Sequence, residues 1–203
     1  MEQSFEGLGF LQVSRIWEGS VEYVVIDPDG VSDPGLRADL LDTWIAATDA
    51  GGSVGFTAPA PVHLVAGTLD LALERVAGGK DLLGVLHNGE RYVGMGLLVG
   101  KEGPLSQHWR TVLRVMVHPK YQGGGAGRLL MNGLRQSAVD LGLEQLQLTI
   151  RDGNSLEEFY QRLGYRIVGN HPRAVRVASD DYRDELMLVT DLNRGREVGQ
   201  CGI

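Results

Sequence analysis

The chain of 203 residues carries 26 Asp and Glu against 19 Lys and Arg, a formal charge of −7. That balance argues against a general nucleic-acid or membrane-surface binder, which would present a broad basic face. Its apolar share of 43% and charged share of 22% are ordinary for a globular chain, and the length suits one domain, residues 1–203, with a sizeable core.

The lone Cys201 excludes an intramolecular disulfide and a cysteine-built metal cluster. No metal is expected. The opening MEQSFEGLGF lacks a basic segment followed by an apolar one, so no signal peptide is read. No apolar run approaches the ~18 residues that span a bilayer, and the expected location is cytoplasmic.

Residues 1–20 read as an N-terminal arm or an extra strand. The run 21–26, VEYVVI, is β-branched and aromatic and ends in a DPDG turn. Asp33-Pro34 then reads as a helix cap with a first-turn proline, followed by Leu40, Leu41, Trp44 and Ile45 at helical spacing. A second helix follows Pro61, with Val65, Leu69, Leu73 and Val76 on one face. Strands at 82–86 and 92–99 flank His87-Asn88-Gly89-Glu90, where Asn-Gly signals a hairpin. A third strand covers 111–117. Leu130, Leu134, Ala138 and Leu141 trace a helix, and 144–150 alternates as a strand. Leu156, Phe159, Tyr160 and Leu163 mark a short helix, and strands at 165–168 and 185–190 close the chain. This order predicts an α/β (α+β) fold, a mixed and mostly antiparallel sheet with helices on both faces.

Between the third strand and its helix lies VMVHPKYQGGGAGRLLM, with four glycines in five residues from Gly123 to Gly127. A dinucleotide fingerprint fails because Arg128 stands where its third glycine belongs, and a P-loop fails because no Lys follows the cluster. What remains is a strand, a turn without Cβ atoms and a helix N-terminus with unpaired N–H groups, a place where phosphate binds well. His118, Lys120 and Arg128 add a basic spot.

Gln122-Gly123-Gly124-Gly125-Ala126-Gly127 resembles the Q/R-x-x-G-x-G/A signature of the GNAT family of N-acetyltransferases, with Val117-His118-Pro119 before it. A second family segment is similar as well: Asn154, Phe159-Tyr160, then Leu163-Gly164-Tyr165. The resemblance implies the GNAT fold and transfer of an acetyl group from acetyl-coenzyme A to a primary amine. The amides of Gln122, Gly123, Gly124, Gly125, Ala126, Gly127 and Arg128 would hold the pyrophosphate. Val115, Met116 and Val117 would offer backbone groups to the pantetheine arm, and an amide near Met116 or Val117 would polarise the thioester carbonyl. Asn154 would contact the pantetheine, although capping its helix competes with that role. Tyr160 would act as the general acid, although its place among Leu156 and Leu163 also suits a core tyrosine. Gly125→Val is expected to abolish coenzyme binding.

The general base is left open: Thr149 stands where some relatives place an acid, and Glu185 is the remaining carboxylate candidate. Gly51-Gly52-Ser53-Val54-Gly55-Phe56, between the first two helices, resembles the GASVGF-type loop of tabtoxin-resistance-like acetyltransferases. That implies a small amino-acid-like or antibiotic-like amine as the acceptor, which an overall acidic protein would attract. A protein or peptide amine, or a non-catalytic coenzyme-binding role, are the alternatives. No nucleic-acid or membrane partner is expected, and relatives of this kind often form homodimers.

Overall fold

In the computed structural model, which describes residues 17–18, 21–153 and 156–192, the chain builds an eight-stranded sheet with helices on both faces. The strands are β1 (Trp17–Glu18), β2 (Val21–Ile26), β3 (Asp81–His87), β4 (Tyr92–Val99), β5 (Trp109–Val117), β6 (Gln145–Arg151), β7 (Arg166–Arg176) and β8 (Tyr182–Asp191). The helices are α1 (Pro34–Asp49), α2 (Val62–Ala77), α3 (Ala126–Asp140) and α4 (Leu156–Arg162). The sheet order is β1-β2-β3-β4-β5-β6-β8-β7. Every neighbouring pair is antiparallel except β5 and β6. Of the arm expected over residues 1–20, Trp17–Glu18 pairs with β2 and the rest lies outside the described residues. Among the described residues no helix is long and apolar enough to cross a membrane.

The local signals act as expected. The Asp33 carboxylate accepts the Gly35 amide at 2.8 Å and starts α1, a cap of ~1 kcal/mol. Leu36, Leu40, Trp44, Ala47 and Thr48 then bury one stripe, as a 3.6-residue period requires. At the β3–β4 hairpin the Asn88 side chain accepts the amides of Glu90 and Arg91, and Gly89 takes a positive φ.

Two cores lie on opposite faces of the sheet. Under α1 and α2, Trp44, Leu40, Leu69, Leu83, Met95 and Met116 pack together, and that cluster draws on nothing beyond Met116. Under α3 and α4 the other cluster joins both halves of the chain, with Leu130 and Leu134 against Leu146, Leu148, Ile150, Tyr160 and Leu188. Each fully buried leucine contributes about 1.5–3 kcal/mol.

The seventh strand differs from the sequence expectation, running Arg166–Arg176 instead of stopping near residue 168. Its residues are largely exposed and Pro172 interrupts them, a composition that reads as loop. An edge strand tolerates the proline, because one row of its backbone groups has no ladder partner, and the register with β8 shifts between His171 and Val175.

Candidate active site

The site is created where the sheet comes apart. Strands β5 and β6 pair over only three positions, Trp109–Gln145, Arg110–Leu146 and Thr111–Gln147. At the last of these the Thr111 hydroxyl donates to Gln147 Oε1 at 2.9 Å and accepts from Lys101 Nζ at 2.7 Å. Beyond that point the strands diverge. The inner edge of β5 from Val112 to Val117 then faces a cavity of about 1070 Å³ instead of a neighbour. Val115, Met116 and Val117 line it from one side, and Leu148, Thr149, Ile150 and Arg151 from the other.

A bulge shapes the same stretch of β5. The register with β4 slips between Met95 and Leu97, and Arg114 sits there with φ +56°. A non-glycine residue in the left-handed region is uncommon and costs about 1–2 kcal/mol, so surrounding contacts must hold it. Arg114 Nη1 donates to the Val54 carbonyl at 3.1 Å, and the guanidinium lies over the Trp44 ring, 5.1 Å from its centroid. Trp44 Nε1 donates to the same carbonyl at 3.0 Å. The 51–57 loop is thus fixed against α1 and β5, with Phe56 tilted on Trp44 at 5.9 Å between centroids.

The glycine cluster closes the far end of the cavity. Gln122 Nε2 donates to the Val117 carbonyl at 2.8 Å, tying the loop to the end of β5. Gly123 and Gly125 have φ of +83° and +91°, conformations that glycine alone adopts cheaply. Gly125 caps α3 in the left-handed region without a capping side chain. Among the described residues, none of the amides of Gly123, Gly124, Gly125, Ala126 and Gly127 donates to a backbone carbonyl. A Cβ at Gly124 would meet nothing within 4 Å. The result is a run of free N–H donors with open space before it, at the positive end of a 15-residue helix. Arg128 stands exposed in the first turn. These features fit a phosphate-bearing group.

Tyr160 lines the cavity from α4, packed edge-on against Phe159 and Tyr165 at 5.0 and 5.7 Å. It belongs to the core and to the cavity wall at once, being 7% exposed. Burial pushes its phenol up to about 12. Its hydroxyl makes no hydrogen bond among the described residues. Asn154 lies outside the described residues.

His118 does not reach the cavity. Its Nδ1 accepts the Lys120 amide at 3.2 Å and its ring meets Tyr121 edge-on, capping the short turn Pro119–Tyr121. Burial first, with Lys120 and Arg91 adding to it, lowers its pKa against the pull of Asp42.

Glu185 on β8 is the one carboxylate lining this cavity among the described residues, and Thr149 Oγ1 donates to it at 3.0 Å. The two residues left open in the sequence are therefore neighbours. Arg114, Arg128, Arg151 and Arg176 line the same cavity from β5, α3, β6 and β7. The net charge of −7 does not describe this cavity, whose lining is basic. Arg114, Arg151 and Arg176 were missed from sequence. The signal that could have found Arg114 is a lone cation inside the apolar run Val112-Leu113-Arg114-Val115-Met116-Val117.

A sheet split beside a glycine turn, with a buried tyrosine and a carboxylate on the opposite wall, defines a class of site suited to an extended phosphate-bearing ligand. The model of the acetyltransferase (GNAT) domain matches residues 68–177, more than half the chain. The chain belongs to the GNAT family.

It is 31% identical over 93 residues to the ribosomal protein bS18-alanine N-acetyltransferase of Haemophilus influenzae, a match spanning 42% of this chain and 64% of that relative. Among solved structures it is similar to yncA of Salmonella typhimurium with its cofactor acetyl-CoA, at TM-score 0.65 and 16% identity, covering 90% of this chain and 100% of that one. The ribosomal-protein-S18-alanine N-acetyltransferase of Escherichia coli gives TM-score 0.60 and 16% identity, covering 85% and 94%. At such identities the likeness concerns the fold.

Proposed function

We propose that this protein transfers the acetyl group of acetyl-coenzyme A to the primary amine of a small, amino-acid-like molecule. The observation that carries the reading is the single cavity joining four features: the free edge of β5, the glycine cradle, Tyr160 and Glu185.

Acetyl-coenzyme A supplies an activated acyl carbon as its thioester. The amides of residues 123–127, with Arg128, hold its pyrophosphate, and Gly124 leaves room for it. The backbone of Val115, Met116 and Val117 takes the pantetheine arm as an added strand would be taken, and one amide there polarises the carbonyl. Such a donor lowers the barrier by ~3 kcal/mol. Glu185 accepts a proton from the ammonium, directly or through water, because only the neutral amine attacks. A nitrogen–carbon bond forms, the carbon–sulfur bond breaks, and the Tyr160 hydroxyl delivers a proton to the departing sulfur. The proton that the attacking nitrogen sheds as it becomes an amide restores Tyr160 through water. The 51–57 loop bounds the acceptor space, in keeping with a small molecule. A cytoplasmic location remains part of this reading.

The alternative acceptor is a protein N-terminus, favoured by the name of the Haemophilus influenzae relative. Calorimetry with acetyl-coenzyme A tests the donor half; no heat at millimolar ligand would end the proposal. A screen over amines, amino acids and an alanine-led peptide, reading released thiol, decides the acceptor. Turnover of the peptide alone would exchange one reading for the other.

A further inference from the structure

We infer that Arg114 is the residue that recognises a carboxylate on the acceptor, so that the preferred substrates carry an amine and a carboxylate together. The inference rests on the acetyl-transfer reading above and narrows its acceptor.

Its ground is a half-buried charge with no carboxylate beside it among the described residues. Arg114 is half-buried, and burial lowers its pKa from the ordinary guanidinium value. A guanidinium keeps its proton under any physiological condition, so the cavity wall holds a permanent cation. Other arginines have a carboxylate nearby: the more exposed Arg37, Arg75 and Arg91 pair with Asp70, Asp81 and Asp42 at 2.6, 2.6 and 2.7 Å. Half-buried Arg110, bonded to the Leu98 carbonyl, still feels the charge of Asp81. Among the described residues Arg114 has no carboxylate partner. One of its five N–H groups donates to Val54, and among the described residues no other acceptor is bonded to it. An unpaired buried charge is costly, and a planar fork with free donors matches a carboxylate in two-point contact.

The neighbourhood is built around that group. The left-handed backbone of the β5 bulge aims Arg114 toward the 51–57 loop. Opposite it stands Gly55 at φ +99°, where any Cβ would overlap Arg114 Nη1. Trp44 supplies a flat surface beneath the guanidinium. The coenzyme phosphates do not explain the residue. Their cradle begins α3, which packs on one face of the sheet, whereas Arg114 contacts Trp44 and Val54, which belong to the core on the other face. Arg151 and Arg176 line the same cavity and extend the positive wall.

The test compares amino acids with their carboxamides as acceptors, measuring kcat/KM for each by thiol release. Wild type should favour the acid at least tenfold. In Arg114→Met that ratio should fall toward one while the KM for acetyl-coenzyme A holds. Arg114→Gly, which suits the left-handed backbone, should do the same, and Arg114→Lys should keep part of the preference. Equal losses for acid and amide in these variants would make Arg114 a mere loop brace and overturn the inference. So would a wild type indifferent to the carboxylate, an outcome that leaves acetyl transfer itself standing.

A turnover-free arm separates the two failures. Calorimetry should detect N-acetyl amino acids binding to wild type and weakening at least tenfold in Arg114→Met, with their amides weak in both. If the carboxylates fail to bind wild type at millimolar concentration, the inference falls whatever the transfer assay gives.

Discussion

Tyr160 and the cradle glycines carry predictions at the scale of single residues. Tyr160→Phe removes the proton donor and leaves the ring packing against Phe159 and Tyr165. Stopped-turnover assays should show kcat reduced about 100-fold or more, with acetyl-coenzyme A affinity preserved. A general acid works only below its pKa, and burial raises that of Tyr160 to about 12. The kcat profile should therefore keep its alkaline plateau through pH 10. A limb near pH 9 that vanished in Tyr160→Phe would contradict the assignment.

In the glycine turn two substitutions separate folding from binding. Gly125→Val forces a β-branched residue to φ +91° and should lower both stability and coenzyme affinity. Gly124 has no positive φ to protect, and a Cβ there meets open space. Thermal unfolding of Gly124→Ala should match wild type while its affinity for acetyl-coenzyme A drops about tenfold. Unchanged affinity would move the phosphate elsewhere. The φ pattern behind this contrast is invisible in a run of identical glycines. The sequence tells that something approaches the turn, but not which glycine is needed for conformation and which for space.

At the scale of elements, what was legible followed from periodicity and punctuation. The Asp33-Pro34 start of α1, the Asn88-Gly89 hairpin and the stripe of α3 all signalled themselves locally, because their hydrogen bonds close within a few residues. The outer part of β7 did not, because among the described residues its only strand partner is β8 and its exposed residues carry no alternation. The β5 bulge was also hidden, since a register slip is a property of two strands.

The 51–57 loop depends on Trp44, whose indole N–H holds Val54. Trp44→Phe keeps most of the packing but removes that bond, a loss of about 1 kcal/mol or roughly 2–4 °C in Tm. Initial-rate measurements should show the acceptor KM rising while that of acetyl-coenzyme A stays. At the opposite end, Thr111→Val cuts the tie to Gln147 where the strands part and should cost about 1 kcal/mol in chemical denaturation. A variant as stable as wild type would mean that the three-pair seam does not need its side-chain tie.

Across the whole molecule, charge is distributed against its average. An acidic exterior surrounds a cavity lined by Arg114, Arg128, Arg151 and Arg176 against Glu185. Global charge therefore predicts little about the acceptor, because the lining of the cavity departs from it. The sheet split has a further consequence, expressed in the order of events. The glycine cradle belongs to the α3 face, whereas the 51–57 loop and Arg114 belong to the α1–α2 face. Two ligands entering from opposite sides need not wait for each other to leave. Initial rates at varied donor and acceptor should give intersecting double-reciprocal lines, and desulfo-coenzyme A should compete with the donor alone. Parallel lines would instead mean that the two ligands take turns in one doorway.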